Sequence, residues 1–393
     1  MTKPVYLDNN ATTPIDPRVT ESMLPYFQDK FGNASSANHT YGREAEKAVE
    51  EARRQVAQLL HCKPKEILFT SGATESNNLA IIGYLFNFIC PSQSANESVH
   101  FITSTIEHKA VFEVGERLKT WGCEVTFLDP DEYGMIHPEQ VEKAIRPNTK
   151  LVSIMWANNE IGTINPVEEI AKVCQKNDVL FHVDAAQAVG KIPIDLEKTS
   201  IDMLSLSAHK IYGPKGIGAL YICERNPSIQ ITPFTVGGSQ EKGIRPGTLN
   251  VPGIVGLGKA CELCEAEGAS DRERIFSLQQ KIINTILKEC PGARLNGHPK
   301  HRLYNNVSFS FGQLSADDFS LGLAGIALSS SSACSTQKGP SYVLQGIGLD
   351  NALAQATIRI GLGRFTSEKD VDFALEKIIG MHKKKHVTPN RAL

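Results

Sequence analysis

The stretch IDMLSLSAHKIYGPKGIG (201–218) decides the fold of this chain and indicates its chemistry. Its apolar start is typical of a buried strand, and the glycines and proline that follow Lys210 indicate a loop. Lys210 thus stands at a strand end, where its side chain can be held rigidly in a partly dry pocket. Desolvation lowers the pKa of a lysine, and the neutral amine can form a Schiff base with an aldehyde. Taken alone, the stretch also fits a solvated loop lysine.

The strand at 203–207 belongs to an alternation of helical and strand patterns that covers more than the first half of the chain. Residues 43–60 place their apolar side chains on one helical face. Several strand patterns are apolar on both faces, as parallel strands between two layers of helices are. The other strands are predicted at 66–70, 100–104, 124–128, 151–156, 179–184 and 219–223. Together, these strands predict a large α/β domain with a mostly parallel, seven-stranded, doubly wound sheet between helices.

The pattern changes after Gly253, where short strands replace the regular alternation. The elements predicted there are a long helix at 255–288, strands at 305–311, 325–328 and 357–361, and a closing helix from Ser367. This order predicts a second, smaller α+β domain that begins near residue 259.

The composition disfavours several classes of partner. With 393 residues and a net charge of −2, the chain offers no electrostatic argument for binding nucleic acid or an anionic membrane. Its longest apolar run, 79–89, suits a buried helix better than a membrane span. The start MTKPVYLDNN has neither a secretory nor a transit pattern. Nine scattered cysteines are typical of reduced thiols, so we expect a cytoplasmic protein.

Groups that bind anions or reactive rings stand at the predicted strand ends, where ligands bind in open α/β sheets. FTSGATE (69–75) is a strand, a turn and a helix start, which suits either a phosphate or a plain N-cap by Ser71 or Thr74. VLFHVDAAQ (179–187) buries Asp184, which needs a partner. That partner is either a protonated ring nitrogen or a helix cap or salt bridge.

Four further groups complete the set. Ser207 and His209 can donate to a phosphate beside Lys210, His108 can lie against a planar ring, and NNEIG (158–162) offers an amide. An amine, an anion hole, a buried carboxylate, an imidazole and an amide at one sheet edge fit pyridoxal phosphate.

These stretches also form an ordered series of motifs that covers the chain from residue 6 to about residue 380. In this series the chain resembles the NifS/IscS-type cysteine desulfurases, in the class V branch of fold-type I pyridoxal-phosphate enzymes. The motifs are YLDNNATTP (6–14), FTSGATESNN (69–78), EHKAV (107–111), NNEIG (158–162), HVDAAQAVGK (182–191), SAHKIYGPKGIGALY (207–221), RPGT (245–248), SSSSACS (329–335) and RIGLGRF (359–365).

The resemblance implies a role for each candidate residue around the cofactor, pyridoxal 5'-phosphate. Lys210 binds its aldehyde, Asp184 pairs with its ring nitrogen, and His108 stacks on its ring. Gln187 and Asn159 make hydrogen bonds in the region of the ring hydroxyl and the substrate carboxylate. The residues implied to hold the phosphate are Ala73, Thr74, Ser207 and His209, with Thr248 supplied by the partner subunit of a homodimer.

The resemblance further implies that Arg359 binds the carboxylate of L-cysteine and that Cys334 is the nucleophile that becomes a persulfide. Cys334 lies in LSSSSACSTQKGPS (328–341), whose small polar residues predict a mobile loop. Composition alone favours a free thiol in an ordinary loop, and the resemblance reverses this interpretation. No resident metal is expected, although Cys334 could transiently ligate an iron–sulfur cluster.

The implied activity is the removal of sulfur from L-cysteine to give alanine, with Lys210, Cys334 and His108 as catalytic residues. The sulfur would pass to an acceptor protein, such as an iron–sulfur scaffold or a sulfur carrier. The implied domains are a large one at 16–258 and a small one made of 1–15 and 259–393, which carries the cysteine loop at about 329–341. The alternatives are a selenocysteine lyase or another class V enzyme such as an aminotransferase, or a catalytically silent assembly platform.

Three features depart from the family pattern. Ser331 stands where glycine is usual, and Ala34 stands where proline is usual. The sequence ends at Leu393, soon after the last predicted helix. We therefore do not expect docking to a scaffold protein through the long C-terminal tail of IscS itself.

Overall fold

The computed structural model describes residues 3–89, 98–225, 227–312, 314, 318–319, 322–330 and 339–387. Its strands are β1 (Val5–Tyr6), β2 (Ile67–Thr70), β3 (His100–Ser104), β4 (Glu124–Leu128), β5 (Thr149–Ser153), β6 (Leu180–Asp184), β7 (Met203–Ser207), β8 (Gly218–Ile222), β9 (Ala293–Leu295), β10 (Asn306–Phe311), β11 (Ile326–Ala327), β12 (Ser329–Ser330) and β13 (Thr357–Gly361).

Helices separate most of these strands. They are α1 (Pro17–Met23), α2 (Pro25–Gln28), α3 (Thr40–Leu60), α4 (Ala73–Ile89), α5 (Lys109–Thr120), α6 (Pro138–Ala144), α7 (Val167–Lys176), α8 (Val251–Glu289), α9 (Tyr342–Gly346), α10 (Asn351–Gln355) and α11 (Glu368–Val387). Among the described residues, none of these helices is long and apolar enough to cross a membrane.

The main sheet has seven strands in the order β2-β8-β7-β6-β5-β3-β4. The strands from β4 to β7 in this order are parallel to one another, and β8 is antiparallel to both of its neighbours. Successive side chains of β6 enter different hydrophobic clusters, Leu180 on one face and Phe181 on the other. Burial on both faces confirms the predicted mostly parallel sheet between layers of helices.

Two glycines of α8 set how closely this helix packs against α1 and α3. A Cβ at Gly258 would lie 2.6 Å from the Cα of Ala52 in α3, and one at Gly256 would lie 2.7 Å from Sδ of Met23. Real Cβ atoms do not approach so closely, so only glycine permits this packing.

The second sheet is antiparallel, in the order β12-β13-β10-β9, and β1 pairs with β11 in parallel beside it. A separate hydrophobic cluster joins Leu7 to residues between Ile275 and Met381, which lie around this sheet. Helix α8 contributes to this cluster and to the cluster under the main sheet. The domain boundary at 258/259 stays a prediction, and α8 passes through it.

Several predicted elements differ from the structure at their ends. The strand predicted at 151–156 is β5, which begins at Thr149 and ends at Ser153, although Trp156 N still donates to Asp184 O at 2.9 Å. Helix α8 begins at Val251 rather than at 255, because the side chain of Asn250 caps it by accepting from Gly253 N. The glycines of its first turns conceal this start in the sequence.

Candidate active site

A cavity of about 1050 Å³ lies at the carboxyl ends of β6 and β7. Ligands bind at this edge in open α/β sheets. The structure brings ten of the predicted site residues together in its lining, and their roles stay predictions. These residues are Ala73, Thr74, His108, Asn159, Asp184, Gln187, Ser207, His209, Lys210 and Arg359.

Lys210 ends a short 3-10 turn, Ala208–Lys210, that follows β7. Its Nζ donates to Asn10 O at 2.8 Å and to Ala11 O at 2.7 Å. Burial, followed by the positive charge of Arg359, lowers the pKa of Lys210 to about 8. Near neutral pH, a much larger share of this amine is therefore neutral and nucleophilic than in an ordinary exposed lysine.

Asp184 ends β6 and is held by two donors. Nδ2 of Asn77, on α4, donates to its Oδ2 at 2.7 Å, and the backbone N of Ala186 donates to its Oδ1 at 3.0 Å. Both oxygens are thus fixed while the residue still lines the cavity. This arrangement suits an ionised carboxylate that receives a hydrogen bond from a cationic ring nitrogen.

A buried polar row supports the strand ends that carry the site. His182 lies two residues before Asp184 and bonds through its two ring nitrogens to Ser153 Oγ at 2.8 Å and Ser205 Oγ at 2.9 Å. Burial lowers the pKa of His182 to about 3, so the imidazole is neutral. The row therefore joins β5, β6 and β7 without a buried charge.

The turn before α4 forms a cradle for an anion beside Ser207. Gly72 has a φ of +150°, and a Cβ there would lie 3.6 Å from Ser207 Oγ. Ala73 and Thr74 begin α4, whose N-terminus favours negative charge. His209 lies at the same edge, and burial, followed by the charge of Lys210, lowers its pKa to about 4. The cradle thus offers neutral donors to a phosphate.

His108 caps the N-terminus of α5. Its Nδ1 accepts from Ala110 N at 3.2 Å. In the neutral ring the proton must then be on Nε2, which leaves one ring N–H available to a ligand in the cavity.

Arg359, on β13, is anchored by three groups that the described residues supply. Its Nη1 donates to Asn159 O at 3.1 Å, and its Nη2 donates to Asp8 Oδ1 at 2.8 Å and Ser329 Oγ at 2.6 Å. The guanidinium is thereby held at the cavity wall, where it can bind a carboxylate.

Gln187 contacts the N-terminal segment that also holds Lys210. Its Nε2 donates to Asn10 O at 2.8 Å, and Nδ2 of Asn10 donates back to Gln187 Oε1 at 3.4 Å. Asn10, Asp8 and Asn77 were not singled out from the sequence, although all three lie inside motifs that mark the family resemblance. Their positions in YLDNNATTP and FTSGATESNN are the signal that could have found them.

Glu107 is the most unusual group near the site, and the sequence reasoning did not single it out. The residue is fully buried. Its Oε1 accepts from Ser104 Oγ at 2.8 Å and Met155 N at 3.0 Å, while its Oε2 has no partner among the described residues. Burial, followed by the negative charge of Asp184, raises the pKa of Glu107 to about 8. Glu107 is therefore a neutral acid at neutral pH.

Glu107→Gln is expected to change how the free energy of unfolding depends on pH. The glutamate ionises near its ordinary pKa of 4.5 when unfolded and near 8 when folded, so the folded chain holds the extra proton between these values. Stability is thus lost as pH rises through this window, by up to about 1.4 kcal/mol per pH unit. Denaturant titrations at several pH values should find this contribution in the parent and not in Glu107→Gln. An identical pH slope in both proteins would contradict it.

Two predicted site residues do not take part in the described cavity. Thr248 is exposed and is absent from the lining that its own chain forms. Cys334, with most of its predicted loop, lies outside the described residues.

The donor set fits pyridoxal phosphate. A phosphate suits the cradle at Gly72 and Ser207, a protonated ring nitrogen suits the doubly held carboxylate of Asp184, and an aldehyde suits the buried amine of Lys210. The amide of Asn77 that donates to Asp184 keeps its own Oδ1 buried and without a partner among the described residues.

Comparisons with known proteins agree with this geometry. The profile of the aminotransferase class-V family matches residues 5–373. The human protein named cysteine desulfurase is 46% identical over 378 residues, which are 96% of this chain and 81% of the human one. A solved NifS-like protein superposes with a TM-score of 0.88 at 39% identity and covers 97% of this chain and 100% of its own.

A further solved structure bears on the ligand. SspA in complex with cysteine superposes with a TM-score of 0.81 at 41% identity, over 93% of this chain and 100% of its own. Members of the class V family and the cysteine desulfurases use pyridoxal phosphate. The chain belongs to the aminotransferase class-V family, and its cofactor is pyridoxal 5'-phosphate.

Proposed function

We propose that this protein is a cysteine desulfurase, which releases alanine from L-cysteine and keeps the sulfur as a persulfide on Cys334. The observation that carries the proposal is the convergence of Lys210, Asp184 and Arg359 on one cavity. The relatives named cysteine desulfurase and the cysteine complex of SspA support the choice of substrate.

When bound, pyridoxal phosphate supplies an electron sink that makes the Cα proton and the Cβ–S bond of the amino acid labile. Lys210, Asp184, His108 and the phosphate cradle are the residues that would hold it. Asp184 would face the ring nitrogen, because Asn77 and Ala186 already orient both of its carboxylate oxygens.

Arg359 orients the substrate through its carboxylate, because the guanidinium is already held at the cavity wall by Asp8 and Asn159. Lys210 then moves the proton at Cα, a role that suits an amine whose pKa lies near 8. The Nε2 of His108 carries a proton to or from the substrate thiol.

The sulfur-transfer step needs a thiolate. The Cys334 thiolate attacks the substrate sulfur, an S–S bond forms, and the Cβ–S bond breaks with its electron pair remaining on carbon. Protonation of that carbon gives alanine. The persulfide then passes to an acceptor protein, such as an iron–sulfur scaffold or a sulfur carrier, in a reducing, cytoplasmic setting that the scattered cysteines favour.

The experiment that tests the function follows the products made from L-cysteine and from L-selenocysteine. A desulfurase should release alanine from L-cysteine with one persulfide or sulfide for each alanine. Alanine released from selenocysteine but not from cysteine would favour a lyase. A keto acid formed only with an amino acceptor would favour an aminotransferase. A protein that binds no cofactor and forms no product would favour a silent platform.

We also propose that the working unit is a homodimer in which Thr248 completes the phosphate site of the partner subunit. Thr248 is exposed, and Phe234 and Val236 of the same segment are 50% and 82% exposed. Two exposed apolar side chains in one segment favour a surface that a second subunit covers. A two-fold dimer would place the same segment of each subunit against the other.

Mixed dimers test this arrangement. Lys210→Ala and Thr248→Asp are each expected to be nearly inactive as homodimers, because one lacks the amine and the other repels the phosphate. A heterodimer of the two regains one intact site, made from Lys210 of one subunit and Thr248 of the other, so its activity should recover. Absence of recovery in an isolated heterodimer would place Thr248 in its own subunit's site, and an active Thr248→Asp homodimer would place it in neither site.

A further inference from the structure

A second buried lysine lies behind the one that the site uses. Lys191 follows Gly190, in the segment after β6, and is only 7% exposed. Its Nζ is fully buried and has no hydrogen-bond partner among the described residues. An amine in this position loses its hydration without compensation, so a partner is expected nearby.

Lys191 lines a separate cavity of about 20 Å³, which Lys210 also lines. Asn305, just before β10, lies in the same wall, and its Oδ1 is likewise buried without a partner in the part of the chain that the structure describes. Its Nδ2 is used, donating to Leu362 O at 3.4 Å. The cavity thus lies between an unpaired donor, Lys191 Nζ, and an unpaired acceptor, Asn305 Oδ1.

The charged part of the wall is already paired. Nε of Arg364 donates to Asp271 Oδ2 at 2.7 Å, and Nη1 of Arg364 donates to Asp16 Oδ2 at 2.9 Å. The hydroxyl of Tyr212 accepts from Arg364 N at 2.6 Å. These pairs leave Lys191 without a carboxylate of its own.

We propose that this cavity binds one water molecule, which accepts from Lys191 Nζ and donates to Asn305 Oδ1. A cavity needs roughly 10–15 Å³ of probe volume and two to four polar partners to hold a water molecule, and this one meets both conditions. The carbonyl oxygen of Asn305 and the carboxylate of Asp271 disfavour an anion. Burial, followed by the charge of Lys210, lowers the pKa of Lys191 to about 7, and the amine can donate to a water molecule in either protonation state.

The water links the segment after β6 to the segment before β10, directly behind Lys210. The water therefore connects the main sheet to the second sheet next to Lys210, which also lines the larger cavity. This inference does not depend on the reaction proposed above, since it uses only the lining of the small cavity.

A crystal structure of the cofactor-loaded protein, at a resolution that shows ordered water, tests the site directly. One isolated density peak is expected within about 2.7–3.2 Å of both Lys191 Nζ and Asn305 Oδ1. An empty cavity would overturn the proposal. Crystals soaked in bromide should show no anomalous peak there, and such a peak would assign the cavity to an anion instead.

A double-mutant cycle supplies a second test in solution. If water bridges the two groups, Lys191→Met should lower Tm by a few degrees, because the buried water loses one of its two hydrogen-bond partners. Lys191→Met together with Asn305→Leu should then cost less than the sum of the single changes. A dry cavity predicts the opposite sign for Lys191→Met, because that change removes an uncompensated buried amine. Additive effects, or a rise in Tm, would contradict the bridge.

Discussion

Cys334→Ala is expected to abolish alanine formation from L-cysteine while the protein keeps its cofactor and its visible absorption. The residues proposed to hold the cofactor are untouched by the change, but the thiolate that takes the sulfur is removed. Loss of a covalent nucleophile costs roughly 10³-fold or more in rate. The measurement is the amount of alanine formed over many turnovers, with the absorption spectrum recorded on the same sample.

Cys62→Ala is the matched control for this variant. Cys62 is a free, partly buried thiol, and burial raises its pKa to about 12, so it carries almost no thiolate. Its removal should leave alanine formation intact. Full activity of Cys334→Ala with L-cysteine would remove Cys334 from the mechanism, and activity kept only with selenocysteine would favour the lyase.

Lys210→Ala is expected to lose both the covalent link to the cofactor and the group that moves the Cα proton. The side chain is buried and donates to Asn10 O and Ala11 O, which fixes its place in the cavity wall. Loss of a general base alone costs about 10²–10⁴-fold, and loss of the nucleophile adds to it. The rate of alanine formation and the absorption of the bound cofactor measure the two roles separately.

Lys210→Arg separates charge from chemistry. Arginine keeps the positive charge and much of the reach, but it is not deprotonated in proteins and cannot act as a neutral amine. We therefore expect Lys210→Arg to be as inactive as Lys210→Ala. Recovery of alanine formation in Lys210→Arg would show that Lys210 contributes only its charge.

The site residues that could be predicted from the sequence are those that lie at or just after the end of a single strand. Asp184 closes one strand with a visible apolar pattern, Lys210 ends the short turn after another, and His108 follows a third. Parallel strands bring their carboxyl ends to one edge, so the meeting of these side chains follows from the fold class.

The supporting contacts could not be predicted in the same way. Asn77 reaches Asp184 across 107 residues, and Asp8 reaches Arg359 across 351. The helical or strand periodicity of a short segment does not predict such pairings, because they depend on how helix and sheet pack. The neutral state of Glu107 also depends on burial by distant elements, since a glutamate before His108 is an ordinary turn residue by sequence.

The roles of Thr248 and Cys334 follow from the family resemblance and stay predictions. An exposed threonine acquires a function only when a second subunit covers it, and the sequence pattern around Thr248 describes one chain. The thiol of Cys334 stands among small polar residues that offer no apolar anchor, so the sequence around it does not fix a position.

The most direct measurement is the intact mass of the cofactor-loaded protein after L-cysteine is added without a reductant, with alanine quantified in the same reaction. We expect a gain of one sulfur atom on the peptide that contains Cys334, matched by alanine and absent in Cys334→Ala. Alanine formed while that peptide gains no sulfur, or sulfur found on another cysteine, would show that Cys334 does not accept the sulfur of the substrate.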